Sequence, residues 1–485
     1  MTKKHIAPCS RPRLALGALI LTIAFSFAFS SAIPLPAQTP QGDWMAGFVM
    51  PKVAEPQIPA RAVRITDFGA KPDGRTLCTE AIAKAIDTLA AQGGGRLIFP
   101  AGMWLTARIV LKSNIALETE RGALILFSPD HSLYNSRGRS LIFGANLENI
   151  AITGPGIFDG NGDAWRPLKR GKATDSQWKT LLASGGRLDE KTQTWYPRAT
   201  PETWRPRLLV LDNCKRVLLD GPTFQNSPTW NLNPSRCDNL TIRNLTIINP
   251  WYAQNGDGLD LESCRNVIVR DSTLDVGDDG LCLKSGSGPE ALRDPRPCEN
   301  ILIENCAVRR AHGGFTIGSE MSGGVRNVRV NNCTFTATDI GLRFKTQRGR
   351  GNAVEKIYIS NIRMANIATD AIGFNMFYVD KTLRNEKEKK PKPTVADETT
   401  PQFRDIYIEN IICRGAKRAM QLQGLPEMPI RGIHLRDVSI TSRTGAVCED
   451  AENITLQNVD IDCSQAPRLQ QIRSRDVRVE GGTLK

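Results

Sequence analysis

Asn239-Leu-Thr-Ile-Arg-Asn244 is a short motif that the sequence repeats. Similar copies are Asn266-Val-Ile-Val-Arg-Asp271, Asn300-Ile-Leu-Ile-Glu-Asn305 and Asn327-Val-Arg-Val-Asn-Asn332. Further copies begin at Lys356, Asp405, Gly432, Asn453 and Asp476. Self-similarity at steps of roughly 20 to 50 residues is typical of a solenoid, in which each repeat packs only on its neighbours. The repeat continues almost to the end of the chain of 485 residues, so it predicts one long domain.

Each copy alternates apolar and other residues, which is the period of a strand with one buried face. Short strands joined by turns and stacked coil upon coil form a parallel β-helix. Asparagines at equivalent places can then ladder their amide hydrogen bonds along the axis. A leucine-rich repeat is the competing solenoid, but it needs helical segments and a regular leucine spacing that this sequence lacks.

The chain also predicts how the solenoid begins. Thr79–Ala91 has apolar residues at helical spacing, with Thr79 as the candidate N-cap and Gly93 to Gly95 as the stop. We expect this helix to cap the first coil. Strands are predicted at 96–99, 109–112 and 115–117.

The segments outside the repeat complete the predicted organisation. Residues 1–37 combine early Lys and Arg residues with an apolar run at 14–29 and small residues after it, which indicates a secretory signal peptide. We expect an N-terminal extension at 38–62 and the β-helix at 63–485. Insertions are predicted at 163–207, which carries four tryptophans, and at 375–402, which carries Phe377 and Tyr378.

Charge and cysteine content narrow the class of protein. The formal net charge is +13, which favours polyanionic partners such as an acidic polysaccharide. Nucleic acid is not expected, because no run of Lys and Arg has interleaved aromatics. Cysteines number 12 with no CxxC pair, and an odd number remains without Cys9. This argues against a disulfide scaffold and a zinc site. Cys237, Cys264 and Cys298 are interpreted as buried thiols, with an occasional bridge between coils left open.

Acidic residues gather in the stretch 255–286. Asp257 and Asp260 precede Asp278 and Asp279 by about one coil. We expect Asp257 and Asp278 to lie one above the other on neighbouring rungs, which would gather several carboxylates in one place. Crowded carboxylates have divergent pKa values, which can leave one as a general acid and another as a base. The alternative is that Asp-Gly and Gly-Asp-Asp are ordinary turns. Gly277 and Gly280 make an irregular turn feasible at Asp278 and Asp279.

Two further groups stand out from the strand pattern. His312 lies among small residues that permit close approach of a ligand. Arg343 and Lys345 flank Phe344, so in a strand both cations share one face and can hold one carboxylate, while Phe344 points into the core. A structural histidine and a solvated pair of cations are the alternatives.

Taken together, Asn255-Gly-Asp257-Gly258, Gly277-Asp278-Asp279, His312-Gly313 and Arg343-Phe-Lys345 resemble the four signature motifs of glycoside hydrolase family 28, the polygalacturonases, in the family's order. The sequence departs from the family's common residues at Gly256, Ala311 and Phe344, but these differences leave the side chains that the family uses for catalysis intact. The prediction for the fold is therefore an all-β, right-handed parallel β-helix with a short N-terminal capping helix.

The resemblance also implies roles for the motif residues. Asp278 would protonate the glycosidic oxygen, and Asp257 and Asp279 would activate water. His312 would support the acid. The substrate implied is galacturonan, which Arg343, Lys345 and Asn255 would bind. The resemblance implies no metal or cofactor. The family inverts configuration, for which carboxyl separations of roughly 6.5–9.5 Å are expected.

Two alternatives and two lesser expectations accompany this hypothesis. A β-helical pectate lyase would use calcium and β-elimination on the same polymer, and a non-catalytic solenoid would only bind polysaccharide. The two insertions favour exo action, because both could rise beside one cleft and leave room for a chain end only. The signal peptide predicts export to the periplasm or beyond, without stable membrane insertion after cleavage.

Overall fold

The computed structural model describes residues 43–134, 140–198, 204–378 and 393–484. From Trp44 onward they form one unit, a right-handed parallel β-helix, as predicted. The predicted signal peptide at 1–37 lies outside the described residues. Within these residues no helix has the length and hydropathy required to cross a membrane.

Three ladders of parallel strands make up the coils, and the first runs the whole length of the solenoid. Its strands are β1 (Ala62–Arg64), β2 (Gly95–Phe99), β5 (Ile115–Thr119), β8 (Glu148–Thr153), β14 (Lys215–Asp220), β17 (Asp238–Arg243), β20 (Arg265–Arg270), β23 (Cys298–Glu304), β26 (Val325–Thr336), β28 (Ala353–Asn375), β29 (Gln402–Gln423), β30 (Ile430–Glu449), β31 (Ala451–Ile472) and β32 (Arg475–Glu480).

A second ladder follows on the next side of the coil. It contains β3 (Gly102–Thr106), β6 (Ala123–Phe127), β9 (Ile157–Asp159), β15 (Thr223–Gln225), β18 (Thr246–Ile248), β21 (Thr273–Asp275) and β24 (Ala307–Arg309), which pairs with β26.

The third ladder lies next to the four sequence motifs, and we call it the cleft ladder. It contains β4 (Ile109–Val110), β7 (Ser140–Ala145), β13 (Arg207–Asp212), β16 (Leu232–Ser235), β19 (Leu259–Glu262), β22 (Leu281–Lys284), β25 (Gly313–Gly318) and β27 (Ile340–Lys345), which pairs with β28.

The repeated Asn and Asp residues form the corners of the coils. Asn239, Asn266 and Asn300 all have φ between 56° and 60°, a left-handed conformation that Asn tolerates better than other side chains do. The predicted amide ladder is present, since Asn300 Nδ2 donates to Asn266 Oδ1 at 2.9 Å and Asn327 Nδ2 donates to Asn300 Oδ1 at 2.7 Å. The repeated sequence motif therefore forms a turn at the corner of the coil as well as a strand.

The interior of the solenoid is filled by the inward residue of each alternating pair. Aromatic rings stack from coil to coil, as for Phe344 and Phe374 with centroids 4.1 Å apart, so Phe344 points into the core as expected. Cys237, Cys264 and Cys298 are buried free thiols, and no disulfide occurs within the described ranges.

Helix α1 (Thr79–Ala91) caps the first coil within the predicted bounds. Thr79 is not its N-cap, however, because Cys78 occupies that position. The Thr79 hydroxyl instead accepts the N–H of Ala107 at 2.7 Å, which ties the helix to the coil beneath it. Gly93 and Gly94 follow the helix with φ of 88° and 117°, as a helix stop requires.

The N-terminal segment 44–61 begins with the short 3-10 helix Trp44–Gly47 and runs along the outside of the coils, and we call it the strap. Near its start the Arg436 guanidinium lies 4.3 Å from the Trp44 ring centroid. Further along, Val49 O accepts from Asn327 Nδ2 at 2.8 Å. The strap therefore runs from the later coils towards the earlier ones.

The later part of the strap bonds coils nearer the N-terminus. Ala54 N donates to Asn239 Oδ1 at 2.9 Å, and Gln57 N donates to Asn149 Oδ1 at 3.3 Å. The strap thus uses the corner asparagines of separate coils as its anchors.

The insertion between β9 and β13 folds on its own small scaffold. Strands β10 (Leu168–Lys169), β11 (Arg187–Asp189) and β12 (Thr194–Tyr196) form an antiparallel sheet beside helix α2 (Asp175–Ala183). A third short helix, α3 (Gly288–Arg293), follows β22.

Candidate active site

The acidic residues of 255–286 come together at the start of neighbouring strands in the cleft ladder. Leu259 pairs with Leu281, and Gly258 N donates to Asp279 O at 2.9 Å. This register places Asp257 beside Asp279, whereas the sequence suggested Asp278. One oxygen from each of Asp257, Asp278 and Asp279 lies within 4.8 Å of the others. We call these three residues the carboxylate trio.

That separation is shorter than the expected one. Inverting glycosidases usually keep their two carboxyl groups roughly 6.5–9.5 Å apart, whereas these three carboxylates approach within 4.8 Å, measured between one oxygen of each. The turn at Asp278 and Asp279 explains the crowding, because it departs from regular β structure.

Close packing requires glycine at that turn. A Cβ on Gly277 would lie 2.5 Å from Pro250 O, and one on Gly313 would lie 3.2 Å from Asp279 Oδ1. Gly277 therefore serves through close approach and not through a positive φ. A side chain at Gly277 would collide with the backbone of Pro250 and Ala253, and one at Gly313 would collide with Thr316 and crowd Asp279.

Asp279 is the most firmly held carboxylate of the three. Lys345 Nζ donates to Oδ2 at 2.6 Å, and Arg343 Nη1 and Thr316 Oγ1 donate to Oδ1 at 2.8 and 3.2 Å. Burial alone would raise the pKa of Asp279, but Lys345 and Arg343 outweigh it and hold that pKa below its usual range. Lys345 and Arg343 therefore favour the ionised form of Asp279.

Asp257 has the opposite environment. It is buried, and its Oδ1 has no hydrogen-bond partner in the described structure. Burial raises the pKa of Asp257 well above its usual range, and the neighbouring Asp260 and Asp278 raise it further. The predicted divergence of pKa values within the cluster is thus present between Asp257 and Asp279.

Asp278 faces the solvent side of the cluster. Its side chain is 18% exposed and lies 3.2 Å from His312 Nδ1 through Oδ1. The hydrogen bond to Asp278 raises the pKa of His312, so this imidazole keeps its proton to a higher pH than a free histidine does. Asp339 Oδ2 lies 3.7 Å from His312 Nε2 on the other side of the ring, a contact that no sequence pattern indicated.

A pocket opens directly over this pair. It has a volume of about 90 Å³ and is lined by residues of the insertion, of the loop before β19 and of the turns before β22 and β25: Pro167, Lys169, Lys172, Trp251, Tyr252, Ala253, Gln254, Gly277, Asp278 and His312. Asp278 is the member of the carboxylate trio that lines it. The exposed chemistry of the site is therefore at Asp278 and His312.

The two cations predicted to bind substrate are both engaged with Asp279. Tyr378 covers them, since its ring centroid lies 5.3 Å from the Arg343 guanidinium carbon and 4.8 Å from Lys345 Nζ. Tyr378 belongs to the second insertion, so this insertion does reach the cleft. Asn255 is exposed, and its Oδ1 accepts from Arg205 Nη2 at 3.1 Å. The structure thus gives Asn255 a contact with the first insertion.

The tryptophans of the first insertion are mostly buried. Trp165, Trp178 and Trp195 are at most 9% exposed, so they pack the insertion together. Trp251, outside the insertion, is 48% exposed beside the pocket.

Beneath the trio lies a buried network that motif reading did not explain. Asp260 is fully buried, Lys284 Nζ lies 3.5 Å from its Oδ1, and Glu320 Oε2 lies 3.4 Å from the same ammonium. Burial raises the pKa of Asp260 to about 7, although Lys284 opposes this. The alternation of β19 and β22 was the available signal, because it places Asp260 and Lys284 on the cleft face.

The trio also has the oxygen donors that a hard cation prefers. Asp279, however, already accepts hydrogen bonds from an ammonium and a guanidinium. These cations supply the positive charge that a bound ion would bring, so this donor set suits a metal-free site better than a calcium site.

Comparison with known proteins places these features in context. The sequence profile of glycosyl hydrolases family 28 matches residues 174–465. A probable polygalacturonase of Vitis vinifera is 28% identical over 90% of this chain and 87% of its own length. An endo-polygalacturonase of Pectobacterium carotovorum subsp. carotovorum is 26% identical over 73% of this chain and 82% of its own.

The fold agrees with these matches. The crystal structure of a hyperthermoactive exopolygalacturonase from Thermotoga maritima is similar with a TM-score of 0.68 and 31% identity, covering 88% of this chain and 94% of that chain.

Proposed function

Because this chain belongs to glycoside hydrolase family 28, we propose that it hydrolyses α-1,4 galacturonosyl linkages of polygalacturonate with inversion of configuration. The observation that carries the proposal is the carboxylate trio, in which Asp278 alone opens to a pocket while Asp279 is held ionised behind it. A polyanionic substrate also suits a chain with a net charge of +13.

Asp278 is the proton donor in this proposal. It lines the pocket, and its Oδ1 lies 3.2 Å from His312 Nδ1. As the glycosidic bond breaks, Asp278 protonates the leaving oxygen and His312 replenishes the proton. This function for His312 is more specific than general support of the acid.

Water activation falls to Asp279 and Asp257. An ionised carboxylate can accept a proton from the attacking water, and Asp279 is ionised because of Lys345 and Arg343. Asp257 lies beside it on the neighbouring coil and orients the same water. Inversion is supported by the family, whereas the short carboxylate separation does not favour it. Proton NMR of the first product anomer tests it, and an initially retained anomer would refute inversion.

Arg343 and Lys345 can still serve the substrate. A guanidinium has five N–H donors and an ammonium three, so bonds to Asp279 do not exhaust either group. Tyr378 packs over both and would shield a bound carboxylate from water. The cations thus have two functions, holding Asp279 ionised and attracting a uronate.

The rival functions are separated by one digestion. A calcium-dependent lyase would release unsaturated products that absorb in the ultraviolet and would stop with a chelator. A hydrolase releases reducing ends without that absorbance and works in the presence of chelator. A purely binding solenoid would release no reducing ends at any pH, and that outcome would overturn the proposal.

Exo action is the finer part of the proposal. The first insertion lines the pocket through Lys169 and Lys172, and Tyr378 of the second covers the cations. Both insertions therefore border the cleft, which leaves a short site for a chain end. Early release of monomer or dimer with little loss of viscosity is expected. A rapid fall in viscosity with mixed oligomers would show endo action instead.

Export of the protein is proposed from the pattern at 1–37, which resembles a secretory signal peptide. An acidic plant polymer is met outside the cell that secretes the enzyme. Mass spectrometry of protein from the culture medium or the periplasm would reveal a start near residue 33 or 38 if the segment is cleaved.

A further inference from the structure

We infer that Lys169 and Lys172 of the first insertion form a second carboxylate-binding element, which holds the galacturonate unit on the insertion side of the scissile bond. This inference rests on the proposed substrate. It assigns to the insertion a specificity function that the four motifs do not contain.

The first step is the charge at the pocket. Both lysines line the same pocket as Asp278 and His312. Neither makes an ion pair with an acidic side chain within the described ranges. By contrast Arg170, which lies between them, is paired with Asp175. The two lysines therefore leave positive charge facing the pocket.

The second step is the orientation of Lys172. Its Nζ lies 4.4 Å from the centroid of the Trp251 ring, a cation–π distance that orients an ammonium without neutralising it. Trp251 is 48% exposed, so the contact lies at the pocket mouth. Lys172 is thus preorganised to accept an anionic partner.

The third step is the rigidity of the support. Lys169 lies in β10, where it pairs with Thr194 of β12. Arg166, just before β10, is buried and donates to Ser227 O and Asn226 Oδ1, each at 2.6 Å. These bonds hold the start of the insertion against the coil that precedes the catalytic ones.

The far end of the insertion is held in the same way. Arg205 Nη1 donates to Pro228 O at 3.0 Å and to Gln254 O at 2.7 Å. The loop that carries Trp251 is therefore attached to the insertion, and both sides of the pocket keep their spacing.

The fourth step is the extent of the space. Past Lys172 and Trp251 a second pocket of about 430 Å³ continues between the insertion and Tyr252. A sugar unit on the insertion side of Asp278 thus has room, and its carboxylate meets the lysines. Arg343 and Lys345 lie on a later coil, so they would serve a different unit.

The test uses Lys169→Met, Lys172→Met and Trp251→Leu, with Lys179→Met as the matched control, because Lys179 is an exposed lysine of α2 that is absent from both pocket linings. KM and kcat are measured on polygalacturonate and on its methyl ester. Each pocket lysine variant should raise KM for the free acid by about tenfold, the effect of about 1.4 kcal/mol, with much less change in kcat or on the ester. Trp251→Leu should show a smaller effect in the same direction.

Binding measured separately distinguishes the inference from the proposed function. Calorimetric titration of the same variants with trigalacturonate, in an Asp278→Asn background, requires no turnover. A loss of affinity in Lys172→Met but not in Lys179→Met supports the inference even if wild-type protein does not cleave polygalacturonate. Unchanged affinity in both pocket variants, or equal losses on acid and ester, would overturn it.

Discussion

Lys345 donates to Asp279 at 2.6 Å between Nζ and Oδ2, and the two side chains are 7% and 1% exposed. A cation that the sequence suggested for substrate binding therefore also neutralises a buried carboxylate of the candidate site. Removing one partner of a buried pair leaves the other charge uncompensated, which costs more than the pair itself contributes.

The first prediction follows from this pair. Lys345→Met should lower the free energy of unfolding by about 3–5 kcal/mol, besides abolishing activity, because Asp279 loses its nearest cation. Urea unfolding measures the change. Adding Asp279→Asn to the same protein should recover part of the stability but none of the activity. A single variant as stable as wild type would show that Arg343 suffices to neutralise Asp279.

The second prediction concerns the acid. Asp278→Asn should abolish hydrolysis with nearly unchanged melting, because an amide keeps the shape but cannot donate the proton. A substrate with a good leaving group should restore this variant far better than Asp257→Asn or Asp279→Asn, which impair water activation. Turnover above about a tenth of wild type would remove Asp278 from this function.

The third prediction is a pH dependence of stability. The pKa of Asp260 is raised to about 7, so the folded protein binds this proton more tightly than the unfolded chain does. Its contribution is then fully present below about pH 4 and is lost as pH rises to about 7. Unfolding free energies between those pH values should fall more for wild type than for Asp260→Asn. Glu262→Gln, on the same strand, is the control. Parallel curves for wild type and Asp260→Asn would contradict the raised pKa.

The fourth prediction concerns the strap. Deleting residues 44–57 should lower the melting temperature while leaving kcat nearly unchanged, because the strap bonds corner asparagines on the outside of several coils. Deletion of residues 1–42 alone is the comparison that separates the effect of the strap from that of the preceding residues. Differential scanning calorimetry and the standard assay measure both properties. A large loss of kcat would instead connect the strap to the cleft.

Much of the fold was predictable because its signals are local and repeated. Helix α1 follows from apolar spacing over 13 residues, and the coil corners follow from asparagines that adopt a left-handed conformation. Thr79 shows the limit of such signals. Threonine is a residue type that favours the N-cap position, but the Thr79 hydroxyl instead accepts a hydrogen bond from the backbone N–H of Ala107, which lies outside the helix.

The candidate site divides along the same line. Chain order and spacing place Asp257, Asp278, Asp279 and His312 on neighbouring coils, and the structure brings them together. The register is a tertiary property, and it put Asp279 and not Asp278 beside Asp257. The exposure of Trp251 and the burial of Trp165, Trp178 and Trp195 were likewise beyond composition, since residue type does not reveal which face of an insertion meets the coils.

The sequence by itself determined a parallel β-helix, because a repeat of alternating apolar and polar residues buries its apolar face efficiently by stacking coil on coil. It also determined the set of catalytic candidates, because motifs spaced by about one repeat fall at equivalent positions of successive coils. Only the tertiary structure decided the electrostatic environments of Asp257 and Asp279. Arg343 and Lys345 lie more than sixty residues from Asp279 along the chain, and burial, on which the pKa of Asp257 depends, exists only once the coils have stacked. Electrostatic energy depends on distance and solvent access, and neither is a local property of the chain.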